Sequence, residues 1–281
     1  WPEDLVQDGT VNLRDVEALV ADWLEEDYYL NTVQPTGPIV ARYSFEQAVN
    51  DSSGNGHNGT AYGNPTYMAG KSGFAIKLDG VDDYVSMGGI GVTGAAARTI
   101  AGWVKADSMD VQGWTNVFGF THDGTDGHTN KHFDIQRLGN QGGGYGLHVH
   151  GWERPIMAFD TEWHFLAATY DGTTMRWYGD GRPVGGEARV LATAGTFHVG
   201  KRADLDRFFS GLVDEVSVYS RALSEAELGW LAANGAAQWY VPVLSPANLS
   251  DTEPEGSRIV NFKDLALILA KWLQTQVWPV P

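Results

Sequence analysis

A two-sheet antiparallel β-sandwich, closed by a small α-helical clasp from the two termini, is the fold this sequence predicts. Three observations carry it. From about Ile39 to Leu223, short runs alternate apolar and polar residues, the period-2 pattern of strands buried on one face. Glycine (35 residues) and aromatic side chains (12%) are abundant, as suits a protein of many tight turns and flat apolar surfaces. The third observation is that the two ends nearly repeat each other. Val11-Asn12-Leu13-Arg14-Asp15 leads into a helical stretch closing on Ala21-Asp22-Trp23-Leu24, and Val260-Asn261-Phe262-Lys263-Asp264 leads into one closing on Ala270-Lys271-Trp272-Leu273. One such unit cannot bury its apolar face alone. The two are expected to dock, sharing Leu19, Trp23, Leu24, Ile268, Leu269, Trp272 and Leu273.

Residues 1–26 form the first end unit. A calcium loop takes oxygen ligands from positions 1, 3, 5, 7, 9 and 12, with glycine at 6. Asp4, Asp8, Gly9, Thr10, Asn12 and Asp15 fall on that pattern, whereas Val6 at position 3 has no side-chain oxygen. The second unit, residues 245–276, offers Asp251, Glu253 and Glu255 at alternating positions, then Gly256. Two additional residues, Ser257 and Arg258, precede Asn261 and Asp264. These units resemble the duplicated loop–helix repeat of dockerins, here split between the termini. The resemblance implies bound calcium, with a cohesin-like protein as a candidate partner. A helical clasp that no longer binds metal is the alternative.

Residues 27–38, ending in Thr-Val-Gln-Pro-Thr-Gly-Pro, read as a linker, and 39–236 as the sandwich. Ile100–Val104, Phe133–Arg137, Phe165–Tyr170 and Val213–Tyr219 are strands by their alternation. Asp171-Gly172 and Gly179-Asp180-Gly181 are hairpin turns. Ser224-Glu225-Ala226-Glu227-Leu228 opens a short helix with a capping box.

Several motifs of this stretch occur in a recognisable order. Tyr43-Ser44-Phe45-Glu46, Asp51-Ser52-Ser53-Gly54-Asn55-Gly56-His57 and Leu78-Asp79-Gly80-Val81-Asp82-Asp83-Tyr84 come first. Trp163-His164 to Tyr170-Asp171-Gly172, Tyr178-Gly179-Asp180-Gly181 and Gly211-Leu212-Val213-Asp214-Glu215-Val216 follow. Together they resemble the laminin-G-like branch of the concanavalin A-like lectin/glucanase superfamily. The resemblance implies a jelly roll with one concave sheet, and a calcium ion held by Asp51, Asp214 and oxygens around Asn55 and Glu46. The alternative is that residues 51–56 are simply a turn-rich loop. Such a fold hosts lectins, adhesion domains and glycosidases alike, so function must be argued from the site.

The net charge of −16 argues against nucleic acid or an anionic membrane as partner, since phosphates are bound by basic patches. The chain has no cysteine, hence no disulfide framework. No apolar run approaches the roughly 20 residues that span a bilayer, and no signal peptide is evident. Beginning at Trp1, the chain reads as a mature or trimmed product, expected to be secreted by a bacterial-type cell.

Five of the eight histidines lie between residues 122 and 150. Paired as a hairpin, His132–Arg137 and Tyr145–His150 send Phe133, Ile135, Leu147 and Val149 to one side. His132, Asp134, Gln136, His148 and His150 take the other, and Trp152 is expected to join them. Arg137 completes the candidate ligand-binding set. A saccharide floor is the first reading, the polar groups bonding hydroxyls while Trp152, Trp103 or Trp114 stacks on a ring. A catalytic site would draw on Asp134, His148, His150 and Glu153. A transition-metal site would use His132, His148, His150 and Asp134, and an ordinary solvated face would use none of them.

Glycosidases place two carboxylates across the scissile bond, and the glucanases of this superfamily carry them as Glu-x-Asp-x-x-Glu on one strand. No such strand is present; the nearest acid pairs are Asp204/Asp206 and Asp160/Glu162. A lyase would instead employ Arg137, His148 and Tyr145. The expected function is therefore calcium-stabilised binding of a polysaccharide within an extracellular degrading system. A polysaccharide-cleaving enzyme on the same face is the alternative, and a structural or adhesion protein the third reading.

Overall fold

The computed structural model of the protein describes residues 11, 13–21, 28–108, 113–122, 127–139, 144–193, 196–241, 260 and 262–275. In chain order the elements begin with α1 (Leu13–Ala21), β1 (Tyr28–Asn31), β2 (Ile39–Tyr43), β3 (Thr60–Tyr62), β4 (Thr66–Ala69), β5 (Phe74–Asp79) and β6 (Tyr84–Gly88). They continue with β7 (Arg98–Ala106), β8 (Thr115–Thr121), β9 (Phe133–Leu138), β10 (Gly144–Val149), β11 (Trp152–Ala158) and β12 (His164–Tyr170). The last are β13 (Thr174–Gly179), β14 (Arg182–Ala188), β15 (Thr196–Val199), β16 (Ser210–Tyr219), α2 (Glu225–Ala232), β17 (Gln238–Val241) and α3 (Phe262–Thr275). The chain divides into two compact units, Asn31–Ala237 and the combined ends Trp1–Leu30 with Gln238–Pro281.

The larger unit is a two-sheet antiparallel sandwich. One sheet has the order β11-β10-β9-β8-β15-β6-β3; the other runs β14-β13-β12-β7-β16-β5-β4, with β2 also paired to β16. Alternation along each strand supplies the core. Phe118, Phe120, Phe133, Ile135, Leu147, Val149 and Phe197 from the first sheet meet Tyr43, Ile76, Ile100, Val104, Leu166, Val213 and Val218 from the second in one buried cluster. Phe120 and Phe197 contact edge to face, their centroids 5.2 Å apart, an arrangement that suits the ring quadrupoles.

The turn chemistry follows the sequence. Between β13 and β14, Asp180 (φ +46°) and Gly181 (φ +82°) form the two-residue connection whose positive φ angles match strand twist. Asp171 Oδ1 accepts the backbone N–H groups of Thr173 and Thr174 (2.9 and 2.8 Å). Ser224 caps α2 with the reciprocal Ser224–Glu227 bonds of a capping box, and Arg221 pairs with Glu227.

In the unit formed by the ends, α1 and α3 share a buried cluster of Val11, Leu19, Val260 and Ile268, with Val16 and Leu265 against it. These are equivalent positions of the two sequence copies, as are the fully buried Asp15 and Asp264. Leu269 does not join: it is 38% exposed, like its counterpart Val20. One position beyond Ile268, it is turned about 100° around the helix from the contact. Trp23 and Leu24, and the side chains of Trp272 and Leu273, lie outside the described residues. So do the calcium-loop candidates Asp4, Asp8, Thr10, Asn12, Asp251, Glu253, Glu255 and Asn261.

Candidate functional site

Strands β9 and β10 pair antiparallel with Asp134 opposite His148 and Gln136 opposite Gly146, and β10 pairs β11 with His148 opposite Glu153. Cross-strand partners share a face, so Asp134, His148 and Glu153 form one row on the outer side of the seven-stranded sheet. Their neighbours Phe133, Ile135, Leu147 and Val149 point into the core.

The row is wired together. His148 Nδ1 lies 2.9 Å from Asp134 Oδ1, and Gln136 Nε2 donates to Asp134 Oδ2 at 2.7 Å. Gln136 Nε2 also lies 3.0 Å from His148 Nδ1, and His148 Nε2 lies 4.0 Å from Glu153 Oε1. Asp134, Gln136 and His132 are completely buried and His148 nearly so. The polar side of the hairpin is therefore a covered layer and not the ordinary solvated face of the alternative reading, and Asp134 supports the sheet as well as the pocket.

The cover comes from elsewhere in the chain. An isolated bridge between Lys201 and Phe208 closes a loop that carries Arg202 and Asp204. Arg202 grips Asp204 in a fork, Nε to Oδ1 at 2.8 Å and Nη2 to Oδ2 at 2.7 Å. Trp114, His128, His148, His150, Glu153, Arg202, Asp204 and Arg207 line a cavity of about 500 Å³. Arg207 lies over the Trp114 ring at 5.7 Å. Burial pushes the His132 imidazole down to about 3, and burial together with the nearby Arg202 lowers His150, so both rings are neutral near pH 7. His132 Nδ1, His150 Nδ1, Gln136 Oε1 and Trp114 Nε1 are buried without a hydrogen-bond partner. A pocket that sets neutral imidazoles beside carboxylates and guanidinium groups, with an indole at its rim, is suited to grasping a polyhydroxylated ligand.

Two sequence expectations are corrected. Trp152 stands opposite Val149 across a two-residue turn and packs against the core and Trp177; the turn resets the alternation that had been carried through it. Arg137 has the parity of Phe133 and Ile135, and its guanidinium lies 4.1 Å from the Phe159 ring centroid. Tyr145 is likewise a core residue, so the lyase trio of Arg137, His148 and Tyr145 is not assembled. Nor are the acid pairs. Asp204 is held by Arg202, while Asp206 bonds Lys201. Asp160 and Asp180 clamp the two ring nitrogens of His164 at 2.8 and 2.7 Å. Burial favours the neutral His164 ring, but the bonds to Asp180 and Asp160 outweigh it and raise the pKa.

The residues of the expected sandwich calcium set are engaged in local hydrogen bonds. Asp51 accepts three backbone N–H groups, from Arg42, Ser53 and His57. Asn55 turns its amide N–H to the carbonyls of Ile39 and Val40. Asp214, fully buried, accepts from Ser72 and Glu215, and burial raises its carboxyl to about 7. Glu46 accepts from Phe74. Among the described residues these carboxylates do not form a cluster with ligand atoms within 4.8 Å of one another. They organise loops by receiving N–H donors.

Sequence reasoning missed Arg202 and Arg207, which reach the pocket from more than fifty residues downstream of His150 with no local signal. His128 was visible only as one of the clustered histidines.

None of the curated proteins compared with the chain matches it. Solved structures do. Domain 4 of a GH43 extracellular arabinanase from Geobacillus stearothermophilus, in complex with arabinotriose, is 23% identical with a TM-score of 0.55, over 74% of this chain and 100% of that one. The sialidase of Trypanosoma rangeli is 13% identical, TM-score 0.57, over 79% of this chain and 38% of that one. The binding domain of botulinum neurotoxin DC, in complex with SialylT, is 12% identical, TM-score 0.52, over 70% and 52%. At these identities the likeness is one of fold alone. Residues 79–229, more than half of the chain, match the family model described as the concanavalin A-like lectin/glucanases superfamily, and the chain belongs to that superfamily.

Proposed function

We propose that this chain is an extracellular saccharide-binding domain and that its ligand sits in the cavity above Asp134 and His148. The observation that carries the reading is the cavity itself. About 500 Å³ in volume, it is lined by an indole, imidazoles, carboxylates and two guanidinium groups, a size and chemistry proper to small-ligand sites. In support, the arabinanase domain of the same fold was solved with arabinotriose. Trp114 serves as the stacking platform and Arg207, laid over it, as a rim donor to hydroxyls.

A panel of polysaccharides that includes arabinan tests this by affinity electrophoresis, with reducing ends assayed in parallel. At least one polymer should retard the wild type, and Trp114→Ala should weaken that retention at least tenfold, a loss of about 1.4 kcal/mol. The melting temperature should hold, since both rim residues are only partly buried. Retention untouched in Trp114→Ala, or no retention on any polymer, overturns the reading. Release of reducing ends would instead make the row Asp134–His148–Glu153 catalytic.

Calcium is proposed for the terminal unit, where Asp15 and Asp264 are buried at equivalent places. Calcium added to the metal-stripped chain should raise its melting temperature, because an ion bound only by the folded state stabilises it. Asp15→Ala combined with Asp264→Ala should abolish the rise. A melting curve indifferent to calcium defeats the proposal.

A further inference from the structure

The histidines above the β9–β10 pair form a group whose geometry sugar binding does not require. One ring nitrogen each from His128, His132 and His150 and one oxygen of Asp204 lie within 4.8 Å of one another. His132 Nε2 and His128 Nδ1 are 3.5 Å apart, and His128 Nδ1 is 4.0 Å from Asp204 Oδ2. The ring centroids of His128 and His150 are 5.0 Å apart, and those of His132 and His150 are 5.6 Å apart. In a tetrahedral zinc site, bonds of about 2.0–2.2 Å place neighbouring ligand atoms roughly 3.3–3.5 Å from one another. Bringing atoms now up to 4.8 Å apart to that spacing takes shifts on the order of 1 Å, within the reach of side-chain rotation.

The local chain is built for the approach. His128 and His132 stand at the H-x₃-H spacing common in zinc sites, and the intervening turn is drawn tight by Lys131 N–H donating to His128 O at 2.9 Å. Asn130 completes it with φ +59°. His150 arrives from the end of β10, and Asp204 from the loop above, held in place by Arg202. That guanidinium is the nearest cation to the group, and Arg207 also lines the cavity. Facing them are the carboxylates of Asp204, Glu153 and Asp134. Because the Arg202 fork approaches Asp204 from one edge, the other lone pairs stay available.

We propose that His128, His132, His150 and Asp204 bind one divalent transition metal ion of the zinc class, on the wall of the saccharide pocket. Three imidazoles with one carboxylate are a borderline-soft set that selects such ions and not calcium, which takes six to eight oxygens. A further observation points the same way: a ring nitrogen of His150, Nδ1, is buried without a hydrogen-bond partner, while His132, completely buried, presents Nε2 to the group. The ion would share the cavity with any ligand, so its loss would also loosen the wall formed by His128 and Asp204.

The test uses the full chain, metal-stripped and without saccharide, so that it stands apart from the sugar-binding reading. Zinc is titrated calorimetrically, and cobalt(II) is followed by the visible bands of its tetrahedral complexes. One equivalent of zinc should bind with submicromolar affinity and cobalt should give tetrahedral bands. His128→Ala and His150→Ala should each weaken zinc at least a hundredfold while retaining the wild-type far-ultraviolet circular dichroism. His57→Ala, in a loop remote in sequence, controls for adventitious binding by a lone histidine and should change nothing. The proposal is overturned if the wild type binds neither ion, or if His128→Ala and His150→Ala bind zinc as the wild type does. It is overturned also if His148→Ala loses the ion while His128→Ala keeps it. That result would place the metal in the adjoining set His132, Asp134 and His148, whose ligand atoms also lie within 4.8 Å of one another.

Discussion

Replacing Gly119 by alanine is expected to destabilise the protein by about 2–4 kcal/mol, overpacking of about 1–3 kcal/mol added to a backbone term of about 1 kcal/mol, and to abolish the pocket with it. Gly119 lies in β8 opposite Asp134 and adopts φ +148°. An added Cβ would sit 2.4 Å from both Cα and Cβ of Asp134, a clash with backbone that no rotamer relieves. The β8–β9 ladder would have to part directly beneath the Asp134–His148 pair. Gly54→Ala provides the comparison: its φ is +90°, but nothing lies within 4 Å of the new atom. It should cost only the backbone term, about 1 kcal/mol. Urea midpoints of the two variants check the argument. A Gly119→Ala protein no less stable than Gly54→Ala would show that the sheet yields and that close packing under the site is unimportant.

The second large effect is expected at Arg98, which is fully buried and has no carboxylate partner among the described residues. Its guanidinium donates to the carbonyls of Ala96 (2.9 Å), Gly94 (2.7 Å) and Thr93 (3.4 Å) and to the Thr193 hydroxyl. It lies 5.2 Å from the Phe120 ring centroid. Burial lowers its pKa to about 10, and at neutral pH the charge persists because these acceptors replace water. Arg98→Leu removes the donors; the Thr193 contact is buried while the three carbonyls are only part-buried, so one lost buried partner costs about 1–3 kcal/mol. A loss of about 2 kcal/mol follows, water taking over the more accessible carbonyls. Arg98→Lys should rescue little, since a single ammonium cannot span acceptors set out for a planar fork. Thermal and urea denaturation of both variants measure this; a Leu variant as stable as the wild type would mean that the 93–98 segment is held by other contacts.

Much of the fold was legible because its causes are local. The pleat of a strand sends successive side chains to opposite faces whatever lies around it. For this reason the division of Phe133, Ile135, Leu147 and Val149 from Asp134, Gln136 and His148 appears in the structure as expected. The same logic read Gly179-Asp180-Gly181 as a turn and Ser224 with Glu227 as a cap. It failed at Trp152, where a two-residue turn restarts the alternation. At Arg137 the alternation holds and the ligand-binding expectation does not: the side chain shares the parity of Phe133 and Ile135 and lies against the Phe159 ring.

The candidate site was only half legible. Asp134 and His148 lie on paired strands of one hairpin, so their contact follows from register. Arg202, Asp204 and Arg207 belong to a loop after β15 that reaches the pocket only because β15 pairs with β8, next to β9. Nothing in their own neighbourhood announces that.

By itself, then, the sequence determined the β-sandwich, the face each strand residue takes, and the equivalence of the two terminal helices, all set by periodicity and turn chemistry within short stretches of chain. Only the tertiary structure decided that the polar row is covered and not bathed in water. It also decided that three imidazoles meet Asp204 and that the expected calcium carboxylates hold loops by accepting N–H groups. Those outcomes depend on which distant segments pack over a face and on distances of a few tenths of an ångström, and long-range packing sets both.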